Sequence, residues 1–273
     1  LIVIDSVDSN WSSTIQVPDG VSLTNNGTIR AAAGAGGSRT IVLGTGGASA
    51  ALLSNNGALE AAAGTELNID GTTGSIDVLT QNGAINVAVG GARVSANNVL
   101  LNYVGGSNQA GFQVRNGTRI DVDAAAAPST IIASGINTLI GNDSANITLI
   151  VQGNNTVGGS TLNVPANASN GGVIALDVID ASWSARIAVG DGATLTNTAG
   201  GTIRVQQSVF GGTRAIDVSI TAGNPGLLNN AGAILLTDDV DLAGFGRISN
   251  FGVVRKPASG DSEFLPNLFN MPT

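Results

Sequence analysis

Leu23-Thr24-Asn25-Asn26-Gly27-Thr28-Ile29-Arg30 decides the fold, because the same phrase returns down the chain. It recurs as Leu53-Ser54-Asn55-Asn56-Gly57-Ala58-Leu59, as Leu79-Thr80-Gln81-Asn82-Gly83-Ala84-Ile85, and as Leu195-Thr196-Asn197 running on to Gly201-Thr202-Ile203-Arg204. Two further copies are Leu228-Asn229-Asn230-Ala231-Gly232-Ala233-Ile234 and Ile248-Ser249-Asn250-Phe251-Gly252-Val253-Val254. Each copy holds an apolar residue, a short polar step, a glycine and a second apolar residue. Asn and Gly tolerate a sharp bend, and the alternating apolar positions on either side read as short strands with one buried face. A strand, a corner and a strand cannot cover their own apolar face. Copies at roughly 20–35-residue spacing therefore mark a solenoid in which each coil covers the next. The expected fold is all-β, a parallel β-helix (β-solenoid) of roughly 10–13 coils, about 50–60 Å long at ~4.8 Å per coil.

Composition agrees. Of 273 residues, 39 are Gly and 42% are apolar, yet only 3% are aromatic and 11% charged, against about 25% charged in an ordinary soluble domain. Small and β-branched side chains suit thin stacked strands better than a thick aromatic core. A mean hydropathy of +0.27 argues against a disordered chain. Cys and His are both absent, which removes disulfides, thiolate nucleophiles and the commonest general base and metal ligand. A net charge of −8 with a single lysine, Lys256, argues against nucleic acid or an anionic membrane as partner, since both require clustered cations. No apolar run reaches the ~20 residues that span a bilayer. With no initiator Met and no signal peptide, Leu1 is expected to be an internal boundary of a longer chain.

The chain also repeats itself at long range. Ile2 to Leu23 matches Ile174 to Leu195, with Asp5, Asp8, Trp11-Ser12, Ile15, Val17 and Asp19-Gly20 answering Asp177, Asp180, Trp183-Ser184, Ile187, Val189 and Asp191-Gly192. Gly36-Gly37-Ser38-Arg39 answers Gly211-Gly212-Thr213-Arg214, and Leu52-Leu53 answers Leu227-Leu228. The offset drifts only from 172 (Ile2 to Ile174) to 175 (Leu52 to Leu227), so insertions are confined to turns. The expectation is a single domain over residues 1–273, with residues 1 to about 70 duplicated at about 173–250 and a less regular middle at 86–172. Helix potential is confined to Ala124-Ala125-Ala126-Ala127, which Pro128 cuts short.

Candidate chemistry is sparse. Asp238, Asp239 and Asp241 form an acidic cluster able to offer oxygen ligands to a structural calcium ion; otherwise no cofactor is expected. Gly141-Asn142-Asp143 carries a trace of the calcium-binding nonapeptide repeat. Trp11 and Trp183 hold equivalent places in the duplication; facing a groove they would be sugar-stacking binding residues, and facing inward they would plug a coil end or loop. Asp121 and Asp123 share a strand face at a spacing that suits a pair of glycosidase carboxylates. With no His, one Lys and scattered arginines, no catalytic residues are assigned and the chain is expected not to be an enzyme.

The Asn-x-Gly-x-Ile/Val steps, with Gly252-Val253-Val254-Arg255-Lys256, a Gly/Ser turn and a new Phe269-Asn270, resemble the repeats of large bacterial surface proteins. These are the passenger regions of autotransporter and filamentous-haemagglutinin-type adhesins. The resemblance covers nearly every unit quoted above and is one of repeat style; a secretion-domain signature and outer-membrane barrel strands are not found. It implies a right-handed parallel β-helix at the bacterial outer surface, extracellular, acting as a structural or adhesive filament module. Its implied partners are neighbouring segments of the same chain, further copies of itself, or a host or surface glycan. The alternatives are a surface-layer lattice component and a polysaccharide lyase or glycoside hydrolase built on a β-helix. An enzyme requires a lateral cleft with converging carboxylates and an Arg, whereas a spacer requires a flat Thr/Asn surface.

Overall fold

The computed structural model describes all residues except 9, 10, 35, 75, 109–111, 124–127, 181, 207–211, 220, 222, 238, 239, 257–262, 265–267 and 271–273, and gives only the backbone of 263, 264 and 268–270. The alanine run at 124–127 lies outside the described residues. Those described form strands and turns and contain no helix. The chain falls into two compact units, Leu1–Ile131 and Ile132–Thr273.

In the first unit, strands alternate among three walls in strict rotation, and every pairing within a wall is parallel. The first wall stacks Ile2–Ile4, Thr28–Ala31, Ala58–Ala61, Ala84–Val87 and Ser107–Asn108. The second stacks Ser13–Val17, Arg39–Leu43, Glu66–Gly71, Arg93–Asn97 and Phe112–Arg115. The third stacks Ser22–Asn25, Leu52–Asn55, Val78–Gln81, Leu100–Tyr103 and Arg119–Val122. Wall order one, two, three, one is the path of a parallel β-helix.

The second unit repeats the plan. Its first wall holds Ile147–Gly153, Val173–Val178, Thr202–Val205, Ala233–Leu236 and Val253–Arg255. The second holds Ile136–Leu139, Ser160–Val164, Ala185–Val189, Arg214–Val218, Asp241–Ala243 and Glu263–Phe264. The third holds Asn142–Asp143, Ala168–Asn170, Thr194–Asn197, Leu227–Asn230, Arg247–Asn250 and Leu268–Asn270.

Because side chains alternate across a strand, register turns the sequence phrase into columns. In the first unit Leu53, Leu79, Leu101 and Ile120 sit in register on the third wall, and Ile41 and Ile69 on the second; all are fully buried. In the second unit Leu149, Ile174, Ile203 and Ile234 make the same column. Burying each such side chain contributes roughly 1.5–3 kcal/mol. Parallel coils thus build an aliphatic interior; among the described residues Tyr103 and Phe112 are the largest fully buried side chains.

The corners are polar and equally ordered. Asparagines and a glutamine that end third-wall strands turn inward and hydrogen-bond along the stack. Asn25 Nδ2 donates to Asn55 Oδ1 at 2.7 Å, and Asn55 Nδ2 to Gln81 Oε1 at 3.0 Å. In the second unit Asn170 donates to Asn197 at 2.7 Å, Asn197 to Asn230 at 2.6 Å and Asn230 to Asn250 at 2.6 Å. Glycine follows because the next coil leaves no room: a Cβ at Gly57 would overlap the Gly27 carbonyl oxygen, and one at Gly83 that of Gly57.

Candidate functional site

A second kind of corner, between the second and third walls, is built on aspartate. Asp19 accepts the backbone N–H of Thr45 at 2.8 Å, that of Gly47 at 3.0 Å and the Thr45 hydroxyl. These donors, the hydroxyl foremost, hold its carboxyl below the usual aspartate range. Asp191, its counterpart in the duplication, accepts the backbone N–H and hydroxyl of Thr221 and the hydroxyl of Ser219. Asp77 is fully buried and accepts the N–H groups of Ala51 at 2.8 Å and Thr72 at 2.9 Å. These carboxylates are spent on holding coil to coil.

The outer face of the second wall in the second unit carries a cleft of about 450 Å³, lined by Thr138, Thr161, Asn163, Pro165, Arg186 and Asp191 among others. Register explains it. Thr138, Asn163, Ala188 and Asp217 form one outward column, in which the methyl of Ala188 leaves a notch; Ile136, Thr161, Arg186, Ala215 and Asp241 form the column beside it. Arg186 reaches diagonally to an ion pair with Asp217. Burial raises the Asp217 carboxyl above the ordinary range, outweighing the attraction of Arg186, and the nearby Asp241 adds to the rise. Asp241 is exposed on its strand. In the first unit two outward acids are similarly paired: Glu60 with Arg30 at 2.6 Å and Glu66 with Arg115 at 2.7 Å.

The two tryptophans share a place in the duplication and differ in surroundings. Trp183 is 37% exposed. It donates its indole N–H to Asn155 Oδ1 at 2.7 Å. Its six-membered ring lies over Gly158, where an added Cβ would sit 3.3 Å from Cζ3. The loop beneath is a small hairpin closed by Asn154 N–H to Gly158 O at 3.0 Å and the reciprocal bond at 2.7 Å. Trp11 is 72% exposed, and its carbonyl accepts the Ser6 hydroxyl. They lie in different units.

Of the acidic cluster, Asp238 and Asp239 lie outside the described residues, and Asp241 stands in the outer column beside Arg186. Among the described residues no three acidic side chains come together around a position for a metal ion. Asp121 faces outward and Asp123 is exposed. In Gly141-Asn142-Asp143, Asn142 faces out and accepts the Ser169 hydroxyl at 2.6 Å, while Asp143 turns into the interior.

Sequence reasoning missed Arg186 with Asp217, because 31 residues separate them (217 − 186) and only the coil register places them side by side. Comparison with protein-family models, with curated proteins and with solved structures finds no match to this chain.

Proposed function

We propose that this chain is a non-catalytic structural and adhesive module of a larger bacterial surface protein, held outside the cell, in the style of autotransporter and filamentous-haemagglutinin passenger repeats. The observation that carries this reading is the use of the acids around the cleft. Asp191 is occupied by Ser219 and Thr221, and Asp217 by Arg186. Hydrolysis needs one carboxyl free to give a proton and a second free to attack or to activate water. Neither acid is free for that work. The remaining lining, Thr138, Thr161 and Asn163 beside Arg186, offers hydroxyl, amide and guanidinium groups that suit retention of a glycan. The duplication supports the same reading, since a stack extended by copying lengthens a support without needing a second active centre.

A carbohydrate-active enzyme is the second reading, favoured by one observation: Arg186, Asp217 and Asp241 stand together beside a groove. Incubating the protein with neutral and uronate-containing polysaccharides, while following reducing ends, unsaturated products and retention on immobilised glycan, separates the two. Retention without turnover supports the module. Turnover that Asp217→Asn abolishes overturns it.

A further inference from the structure

The asparagine ladder of the second unit runs in one direction. Asn170, Asn197 and Asn230 each donate from Nδ2 to the next residue's Oδ1 and also reach a backbone carbonyl, those of Thr202 at 3.2 Å, Ala233 at 3.1 Å and Val253 at 3.4 Å. Every Oδ1 in such a column needs a donor from the coil before it. In the first unit the opening member is Asn25, and its Oδ1 takes the Gly27 N–H at 3.2 Å. In the second unit the opening member is Asn170, whose Oδ1 is buried and has no hydrogen-bond partner.

The residue in register before Asn170 is Asp143. It occupies the ladder position of the repeat phrase and is buried; neither of its carboxyl oxygens has a well-formed hydrogen bond, the adjacent Ser144 N–H being the one donor that bears on it. Acceptors without a well-formed hydrogen bond thus stand on neighbouring rungs of the interior column. Leaving a buried acceptor unpaired is destabilising, and an ionised carboxylate among them has no proton to give. A proton shared between Asp143 and Asn170 removes the conflict.

We infer that Asp143 is carried in the folded unit as a neutral carboxylic acid whose O–H donates to Asn170 Oδ1, so that the ladder starts on a titratable rung and is tightened by acid and loosened by base. Burial drives the carboxyl up to about 8, and the backbone N–H of Ser144, the remaining influence on it, favours the ionised form too weakly to reverse this. Among the described residues no charged side chain bears on it: the neighbouring strand presents Ser169 and Asn170, and the following turn Ser144 and Asn146.

The sign follows from linkage. The unfolded chain gives up this proton near pH 4 and the folded one keeps it to about 8, so the contribution to stability is complete below pH ~4 and is lost as pH rises to about 8. Asp143→Asn supplies a permanent amide donor of the same shape. Denaturation of both proteins from pH 4 to 10 is expected to show the folding equilibrium of the wild type falling relative to Asp143→Asn, by up to tenfold per pH unit to about pH 8, then levelling. Infrared spectra at pH 6 are expected to hold a protonated-carboxyl band in the folded wild type that vanishes above pH 9 and is missing from Asp143→Asn, which separates it from the raised carboxyl of Asp217. Parallel pH profiles, or no such band, overturn the inference. So does stabilisation of the wild type by added calcium or sodium chloride, reversed by chelation or dialysis and absent in Asp143→Asn, because a cation would then fill the place of the proton.

Discussion

Asn197 donates its side-chain amide to Asn230 at 2.6 Å while fully buried, and accepts Asn170 at 2.7 Å on its other side. Truncating it takes one of two acceptors from the Asn170 amide and the ladder donor from Asn230 Oδ1, and opens a small cavity. Asn197→Ala is expected to cost about 2–4 kcal/mol in chemical denaturation. Asn56, whose side chain donates to Asn26 at 3.2 Å on the exposed side of a corner, is expected to tolerate the same change within about 0.5 kcal/mol. Equal losses at the two positions would show that inward stacking is not what stabilises the corners.

The glycine column is steric. Any Cβ at Gly83 overlaps the carbonyl oxygen of Gly57 in the coil before it. Gly83→Ala must push two coils apart and is expected to cost about 1–3 kcal/mol. Gly223, with nothing within 4 Å of an added Cβ, is the control, and its alanine variant is expected to stay within about 0.5 kcal/mol of wild type. Differential scanning calorimetry of the pair decides.

The two tryptophans are separable by fluorescence. With Trp183→Phe only the exposed Trp11 emits; with Trp11→Phe only Trp183 does, packed over Gly158 and bonded to Asn155. Acrylamide is expected to quench the first variant more strongly, and its emission to lie further to the red. Identical quenching would remove Trp183 from its loop.

Acid acts on the Asp19 corner in the opposite sense to its action on Asp143. Donation from Thr45 and Gly47 lowers the Asp19 carboxyl in the folded state. Its contribution is present above the ordinary aspartate range and is lost as pH falls through and below it. Asp19→Asn, which resembles the protonated side chain at every pH, is expected to lower stability at neutral pH and so to flatten the acid limb of the profile below pH ~4. A variant that kept the full acid limb would assign it to other carboxylates.

The coil was legible because one phrase, apolar then Asn-Asn-Gly then apolar, encodes both wall and corner. Leu53 and Leu79 had to face inward once Asn55-Asn56-Gly57 and Gln81-Asn82-Gly83 were recognised as corners. The duplication was legible because Trp11-Ser12 and Asp19-Gly20 return intact at Trp183-Ser184 and Asp191-Gly192. What escaped depends on register between coils of unequal length. Arg186 finds Asp217 only after the loop between their strands is set aside, and Asp143 joins the asparagine column only when Asn142-Asp143 is laid against Ser169-Asn170. The middle of the chain, where the phrase fades, still keeps the rotation of walls, because inward residues such as Val94, Leu101, Val114 and Ile120 alternate with polar ones.

The stacking of coils is tested most directly by distances along one outward column. Thr24, Thr80, Asn102 and Asp121 lie in register on the third wall of the first unit, and the absence of native Cys permits paired spin labels at chosen sites. Electron–electron distances from position 24 to 80, 102 and 121 are expected to rise in steps, near 10, 14 and 19 Å, at ~4.8 Å per coil. Distances that fail to increase in that order, or that bear no relation to the coil spacing, would contradict the fold.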